Sequence, residues 1–187
     1  FLLPEISLTP QLVNRFAKRF GSKIALLHSQ LTDRERTQFW WEMVAGEKQI
    51  LIGARSALFC PIPNLGLIVV DEEHESSFKQ EEKLKYHGRD VAIMLAKEMN
   101  CPIVLGSATP SFESWVNSIK GKFNLHRMTK RVGEVALPEM RIVDLKISAV
   151  NSKQLKLPFW SSEDLFTELT NDLENGYQSA LFLNRRG

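Results

Sequence analysis

Several short runs in this chain are apolar at every position rather than at alternate ones: Ile50-Leu51-Ile52, Leu67-Ile68-Val69-Val70 and Ile103-Val104-Leu105. A strand with one wet face alternates, so unbroken runs of this length point to strands covered on both faces, as in a parallel sheet between helical layers. The segments between them have helical spacing. Thr9-Pro10 reads as an N-cap and first-turn proline ahead of Leu12, Val13, Phe16 and Phe20, with Gly21 as the stop. Ile24 to Leu27 form another apolar run, and Thr32-x-x-Glu35 has the form of a capping box before Phe39, Trp40, Met43 and Val44. Asp90 to Met99 predicts a helix; Ser111 is expected to cap another that ends near Gly121 and leads to a strand over 123–125. Strand and helix trade places throughout, which predicts an α/β fold of three layers around a parallel sheet.

From Met128 to Pro158 the texture changes to basic and polar residues with Gly133, Pro138 and Pro158, and only Ile142-Val143 resemble a strand. A helical pattern returns over Ser162 to Leu173, followed by an apolar strand at Ala180 to Leu183. The expected organisation is therefore a first lobe over 1–127, a linker with the first strand of a second lobe over 128–160, and the start of that lobe over 161–187. The chain opens on Phe1-Leu2-Leu3 as though a strand were already under way and closes on an unfinished turn, the pattern of a piece of something longer.

Charge narrows little, because a net charge of +2 requires any surface for a polyanion to be local. Cys60 and Cys101 have no partner at metal-ligand spacing, so no zinc site or disulfide framework is written here. Neither a signal peptide nor a long apolar span is visible, which makes the cytoplasm the expected location with no membrane partner.

In parallel α/β sheets ligands gather outside the carboxyl ends of the strands. The residues at those ends are Pro4-Glu5-Ile6-Ser7, Gly53-Ala54-Arg55-Ser56, Asp71-Glu72-Glu73-His74, Gly106-Ser107-Ala108-Thr109 and Asn184-Arg185-Arg186-Gly187. An acidic run after a strand is usually a solvated turn. Here four aliphatic residues deliver Asp71 to a sheet edge, where one carboxylate suits a magnesium ion and the next suits a water attacking a phosphate. His74 adds a titratable group near the same phosphates. His74-Glu75-Ser76-Ser77-Phe78 begins like a zinc-protease helix but carries Phe where the second histidine belongs. A two-metal nuclease would need more acidic tips, and besides this cluster only Glu5 is acidic.

Leu3-Pro4-Glu5-Ile6-Ser7-Leu8-Thr9, Gly53-Ala54-Arg55-Ser56-Ala57, Asp71-Glu72-Glu73-His74, Gly106-Ser107-Ala108-Thr109-Pro110 and Leu183-Asn184-Arg185-Arg186-Gly187 stand in one order along the chain. Together they resemble motifs Ia, Ib, II, III and IV of superfamily 2 helicases, DEAH-box proteins with RecA-like lobes of the P-loop NTPase type. The tetrad and its flank, Ser77-Phe78-Lys79-Gln80-Glu81 and Tyr86-His87-Gly88-Arg89-Asp90, are similar to the replication-restart helicases among them. The resemblance implies ATP and Mg²⁺ as cofactors, with Asp71 on the metal, Glu72 activating water and His74 beside the nucleotide. It further implies that Gly106, Ser107, Ala108 and Thr109 couple hydrolysis to lobe movement. Ser7, Thr9, Arg55, Ser56 and Arg185 would line the path of a single DNA strand. By the same resemblance the partners would be single-stranded and forked DNA, single-strand DNA-binding protein and other primosome proteins. The activity would be 3′→5′ unwinding that restarts stalled forks and loads the primosome.

The loop from Glu75 to Gly88 mixes Phe78, Lys79, Lys83, Lys85 and Tyr86, with Arg89 just beyond it: aromatic faces for bases and cations for phosphates. By composition alone the better reading is a solvated surface loop whose Phe78 and Tyr86 tuck back against the sheet. The resemblance favours a DNA-contacting loop with Phe78, Lys79, Tyr86 and Arg89 in it. A glycine-rich phosphate loop, G-x-x-x-x-G-K-[ST], does not occur in this sequence. The resemblance puts that loop upstream of Phe1, and the motif VI arginine and a zinc-binding insertion beyond Gly187. These 187 residues alone are therefore not expected to turn over ATP. Two other readings remain open: a helicase-like module that binds DNA or a partner without hydrolysis, and a branch-migration helicase of the RecG kind.

Overall fold

The computed structural model describes residues 1–4, 10–130, 139–146, 158 and 160–183. These fall into two units, Phe1–His126 and Arg127–Gly187. The first unit is built on parallel strands. Strands β1 (Ile24–Leu27) and β2 (Ile50–Gly53) pair in parallel with Ile24 opposite Ile50, and β3 (Ile68–Val70) pairs in parallel with β6 (Ile103–Leu105), Ile68 opposite Ile103. Leu2 bridges Gly53 on one side and Val70 on the other. The order across the sheet is thus β1, β2, the Leu2 segment, β3, β6.

Parallel neighbours cannot be joined by a tight turn, so a crossover must lie between them. Helix α1 (Pro10–Phe20) leads from the Leu2 segment to β1, and α2 (Asp33–Val44) leads from β1 to β2. The box expected at Thr32 and Glu35 forms in full: Thr32 Oγ1 accepts from the Glu35 N–H at 3.3 Å, and Glu35 Oε2 accepts from the Thr32 N–H at 2.9 Å. From β3 the chain enters a small antiparallel hairpin, β4 (Lys79–Gln80) with β5 (Tyr86–His87), before α3 (Gly88–Glu98) returns it to β6. Helix α4 (Phe112–Ile119) follows, with the Ser111 hydroxyl accepting from the Ser114 N–H as its cap.

The core gathers Leu2, Ala25, Leu27, Met43, Leu51, Ile68, Val70, Phe78, Ala92 and Ala96. Cys60 is buried and Cys101 half-buried, both as free thiols. Burial pushes the Cys60 thiol pKa up, which fits an inert packing residue. The expectation of burial on both faces is met by β2 but not by β6, where Val104 is half exposed at the edge of the described sheet. Trp41 is largely exposed on α2.

The strand expected at 123–125 does not form, because the backbone there is used to close α4: the N–H groups of Lys122 and Phe123 both donate to the Asn117 carbonyl. In the second unit, helix α5 (Glu163–Glu174) is capped by Ser162, whose hydroxyl accepts from the Leu165 N–H at 3.2 Å. Arg141 donates to Glu168 at 3.2 Å. The strands expected at Ile142-Val143 and Ala180 to Leu183 are irregular chain, and Ile142 and Phe182 are almost fully exposed. Among the described residues of this unit no neighbouring strand offers them a ladder.

Gly53 ends β2 where the chain leaves the sheet for the 3₁₀ turn Arg55–Phe59. A Cβ at this position would lie 2.5 Å from the Leu27 carbonyl oxygen and 2.7 Å from the Ala57 Cβ, so neighbouring backbone would have to move. Gly53→Ala is expected to destabilise the fold by about 1–3 kcal/mol, the usual cost of overpacking. Urea unfolding of the purified chain reads this as a lower midpoint, and an unchanged midpoint would refute the close approach.

Candidate functional site

The site begins where β3 runs out. Val70 is fully buried, and its carbonyl accepts the Gly106 N–H at 2.8 Å, while the Asp71 N–H donates to the Leu2 carbonyl at 2.9 Å. The chain then turns sharply. Glu72 has a left-handed backbone with φ 49°, which an L side chain adopts at some cost, and its carbonyl accepts the Glu75 N–H at 2.8 Å. Asp71 Oδ1 accepts the Glu72 N–H at 3.1 Å. Gly106 lies against that carboxylate: a Cβ there would be 3.3 Å from Asp71 Oδ1. The Glu73 N–H donates to the Gly106 carbonyl at 3.0 Å, so backbone bonds in both directions dock the tip of β3 onto the tip of β6.

Side chains extend the junction. His74 Nδ1 and the Ser107 hydroxyl are 2.7 Å apart. The same hydroxyl oxygen accepts the Thr109 N–H at 3.0 Å, and the Thr109 hydroxyl lies 3.4 Å from His74 Nε2. Glu72 Oε2 is 3.6 Å from His74 Nδ1, close enough to pair when the imidazole carries charge. The structure thus brings Asp71, Glu72, His74, Gly106, Ser107 and Thr109 together at adjacent strand ends, with Ala108 exposed in the same loop.

No group of three His, Cys, Asp or Glu side chains suited to a metal occurs among the described residues. A single half-buried carboxylate such as Asp71 still fits magnesium, which keeps most of its waters and takes one or two carboxylates together with substrate phosphates.

Glu73, third of the run, has no role that the sequence alone assigns, yet it is the most constrained of the carboxylates. Its side chain is 1% exposed. Oε2 accepts from Arg89 Nη1 at 3.1 Å and from the Ser111 and Ser114 hydroxyls, each at 2.9 Å; Oε1 accepts the Ser111 N–H at 2.6 Å. Burial works to raise its pKa, but the bonds from the Ser111 N–H, Ser114, Arg89 and the Ser111 hydroxyl prevail and hold it below the usual value. Arg89 is 6% exposed. Its Nε donates to Asp90 at 2.9 Å and its Nη1 to the Ser111 hydroxyl at 2.6 Å. Burial disfavours its charge, and the bonds to Asp90 and Glu73 restore it, raising the pKa.

Two residues expected on DNA are corrected by this geometry. Arg89 is spent on a buried ion pair, and Phe78, 1% exposed, is a core side chain whose face is closed to a base. The resemblance pointed this loop to DNA, whereas composition alone favoured aromatics tucked against the sheet, as Phe78 is; its aromatic and cationic texture does not distinguish a hairpin's root from its tip. Lys79 is exposed and paired with Glu81 at 2.7 Å, and Tyr86 is half-buried, meeting Phe59 edge-to-face at 5.4 Å between ring centres. Ser56 is exposed. Arg55 Nη1 donates to the Ser77 carbonyl at 3.0 Å and to that of Lys79, bracing the entrance to the hairpin. Burial, then the nearby Arg89 charge, lowers the His87 pKa, while Asp90, Glu113 and Glu73 oppose the shift. Ser7, Thr9 and Arg185 lie outside the described residues. The missed Glu73 had one signal in the sequence: Ser111 and Ser114 place two hydroxyls at a helix start, ready donors for a carboxylate.

Comparison with known proteins agrees with this architecture. The DEAD/DEAH box helicase family matches residues 1–117. The chain is 45% identical over 186 residues to the replication restart protein PriA of Bacillus subtilis, covering all of this chain and 23% of that protein. The PriA proteins of Chlamydia trachomatis and Haemophilus influenzae are 43% and 44% identical, again over the whole chain and 24% of each relative. The chain therefore spans about a quarter of the length of the relatives it matches.

Proposed function

Because the chain belongs to the DEAD/DEAH box helicase family, we propose that it forms part of the ATP-driven motor of a replication restart helicase. The RecA-like α/β fold of that family accounts for a parallel sheet whose strand tips carry the polar residues. One observation supports the motor most directly. The Asp71-Glu72 turn is docked on the Gly106 to Thr109 loop by backbone bonds in both directions and by the His74–Ser107 contact.

In this proposal Mg²⁺-bound ATP supplies the electrophilic phosphate, and the chain's own residues place what surrounds it. Asp71 would hold the magnesium ion through its water shell, and Glu72 would orient the attacking water and accept its proton. His74 would stand beside the nucleotide, in reach of Ser107 and Thr109. Lys79, Tyr86, Ser56 and Arg55 would contact a single strand through charge, a hydroxyl and one aromatic face rather than base-specific bonds, and Ser7, Thr9 and Arg185 are assigned to DNA by the resemblance of their motifs alone.

Residues 1–127 belong to the first motor lobe, 128–160 to the linker and 161–187 to the start of the second. Zinc is assigned to the intact protein outside this chain. The similarity to replication restart proteins supports a part in replication restart; action on forked DNA, 3′→5′ movement, contact with single-strand DNA-binding protein, loading of the primosome and a place in the cytoplasm belong to the proposal through the resemblance of the motifs alone. Among the described residues no helix is long and apolar enough to cross a membrane.

ATP turnover by the purified full-length protein, measured with and without single-stranded DNA, tests the proposal. Stimulation of roughly tenfold or more is expected, in line with usual inter-site coupling energies. DNA binding with no turnover would replace the motor with a non-hydrolysing module.

A further inference from the structure

The loop that carries Ser107 and Thr109 is fastened at both ends by one residue. At its start the Glu73 N–H donates to the Gly106 carbonyl at 3.0 Å. At its end the Glu73 carboxylate accepts the Ser111 N–H at 2.6 Å and the Ser111 hydroxyl at 2.9 Å. The neighbours of Glu73 in the acidic turn meet the same loop, Asp71 lying beside Gly106 and His74 reaching Ser107 and Thr109. We propose that Glu73 is a positioning residue for nucleotide hydrolysis itself, pinning both ends of the 106–111 loop to the tip of β3. It thereby holds Gly106 against Asp71 and the two hydroxyls against His74, in the same way with or without a polynucleotide bound. The inference rests on the motor reading above and gives Glu73 a part in it.

The anchor is firm. Glu73 is 1% exposed, and it also accepts from Arg89 Nη1 at 3.1 Å and from the Ser114 hydroxyl at 2.9 Å. Four donors from three residues therefore fix the plane of its carboxylate. The span between the fastened ends is stiff as well. The Ser107 hydroxyl accepts the Thr109 N–H at 3.0 Å, and Pro110 has a fixed φ and keeps the preceding Thr109 out of helical backbone. A short, stiff span follows its anchors, so a displacement of either end is carried to Ser107 and Thr109 rather than absorbed. The start of the loop is also the wall on which Asp71 rests: a Cβ on Gly106 would lie 3.3 Å from Asp71 Oδ1 and 3.7 Å from the Val70 carbonyl oxygen.

The chemistry of the tie favours positioning over simple stabilisation. A buried ion pair such as Glu73 with Arg89 adds little net stability over apolar side chains of the same volume. What a carboxylate offers that an apolar side chain does not is several directed acceptor sites, and both of its oxygens are used here on the loop's end.

The test uses the full-length protein with a non-hydrolysable ATP analogue and with Mn²⁺ in place of Mg²⁺, so that electron paramagnetic resonance counts the bound ion. Glu73→Gln keeps the side chain's volume but turns one acceptor into a donor facing the Arg89 and serine donors. The Mn²⁺ dissociation constant is expected to rise about tenfold and kcat for ATP to fall about tenfold, the usual effect of disturbing what orients a metal's ligand. The fall in kcat should be the same with and without poly(dT). Should Glu73→Gln not fold, Ser111→Ala, which frees the hydroxyl at the loop's end and keeps its N–H on the carboxylate, reads the same two quantities with smaller changes in the same directions. Unchanged Mn²⁺ binding, or a loss of turnover confined to the DNA-stimulated reaction, overturns the positioning role and leaves the motor reading standing. Wild-type protein that binds no Mn²⁺ with the analogue and turns over no ATP overturns the motor reading, and the positioning role with it.

Discussion

Glu72→Gln in the full-length protein is expected to lower ATP turnover by about a hundredfold to ten-thousandfold, the usual worth of a general base, while leaving ATP affinity nearly unchanged. The asymmetry follows from where the two carboxylates sit. Asp71 leaves the last residue of β3 with its Oδ1 held by the Glu72 N–H and Gly106 packed beside it, a fixed position suited to a metal's water shell. Glu72 is on the turn itself, its side chain 43% exposed, with room for a water and with His74 Nδ1 3.6 Å from its Oε2. The amide of Gln keeps the volume and a hydrogen-bonding oxygen but cannot take a proton at neutral pH. The left-handed backbone of Glu72, φ 49°, is the strained kind of position that persists where a particular direction of the chain is needed. Equilibrium binding of ATP together with single-turnover phosphate release separates the outcomes. Normal hydrolysis would remove Glu72 from the role, and loss of binding would move it into the metal or phosphate site.

Which features could be read in advance depended on how far along the chain their causes lay. The Thr32–Glu35 box, the Ser111 cap and, through β6 in the first unit, the alternation of apolar runs with helical spacing are set within a few residues, and each appears in the structure. The Asp71-Glu72 turn was legible because an apolar run must end at the sheet edge. Glu73, Phe78 and Arg89 failed for the opposite reason. Glu73 meets Arg89 across 16 residues and Ser114 across 41, and nothing in the loop's composition says that its cation turns inward. The hairpin reverses the chain between Phe78 and Arg89, so the root and the tip share one texture while having opposite surroundings. The strand expected at 123–125 failed because apolar spacing does not reveal that the backbone is already committed to closing a helix.

Glu73→Ala is expected to destabilise the protein by about 3–5 kcal/mol, the cost of leaving one member of a buried ion pair uncompensated. Arg89 would keep its charge with only Asp90 and the distant Glu113 nearby, and the Ser111 N–H and Ser114 hydroxyl would lose their acceptor. The pH dependence has a definite sign. The folded pKa of Glu73 lies below the ordinary 4.5, so its contribution is fully present above the unfolded value and is lost as the pH falls through the folded one. Wild-type stability should therefore decline as acid is added from about pH 5 downward, and Glu73→Ala should flatten part of that decline. A second variant separates stability from geometry. Replacing both partners, Glu73→Leu with Arg89→Met, removes the pair without orphaning a charge and is expected to recover most of the lost stability. Chemical unfolding of wild type, Glu73→Ala and the double variant side by side reads this recovery as a midpoint that returns toward the wild-type value, and a double variant no more stable than Glu73→Ala would refute the orphaned charge as the cause.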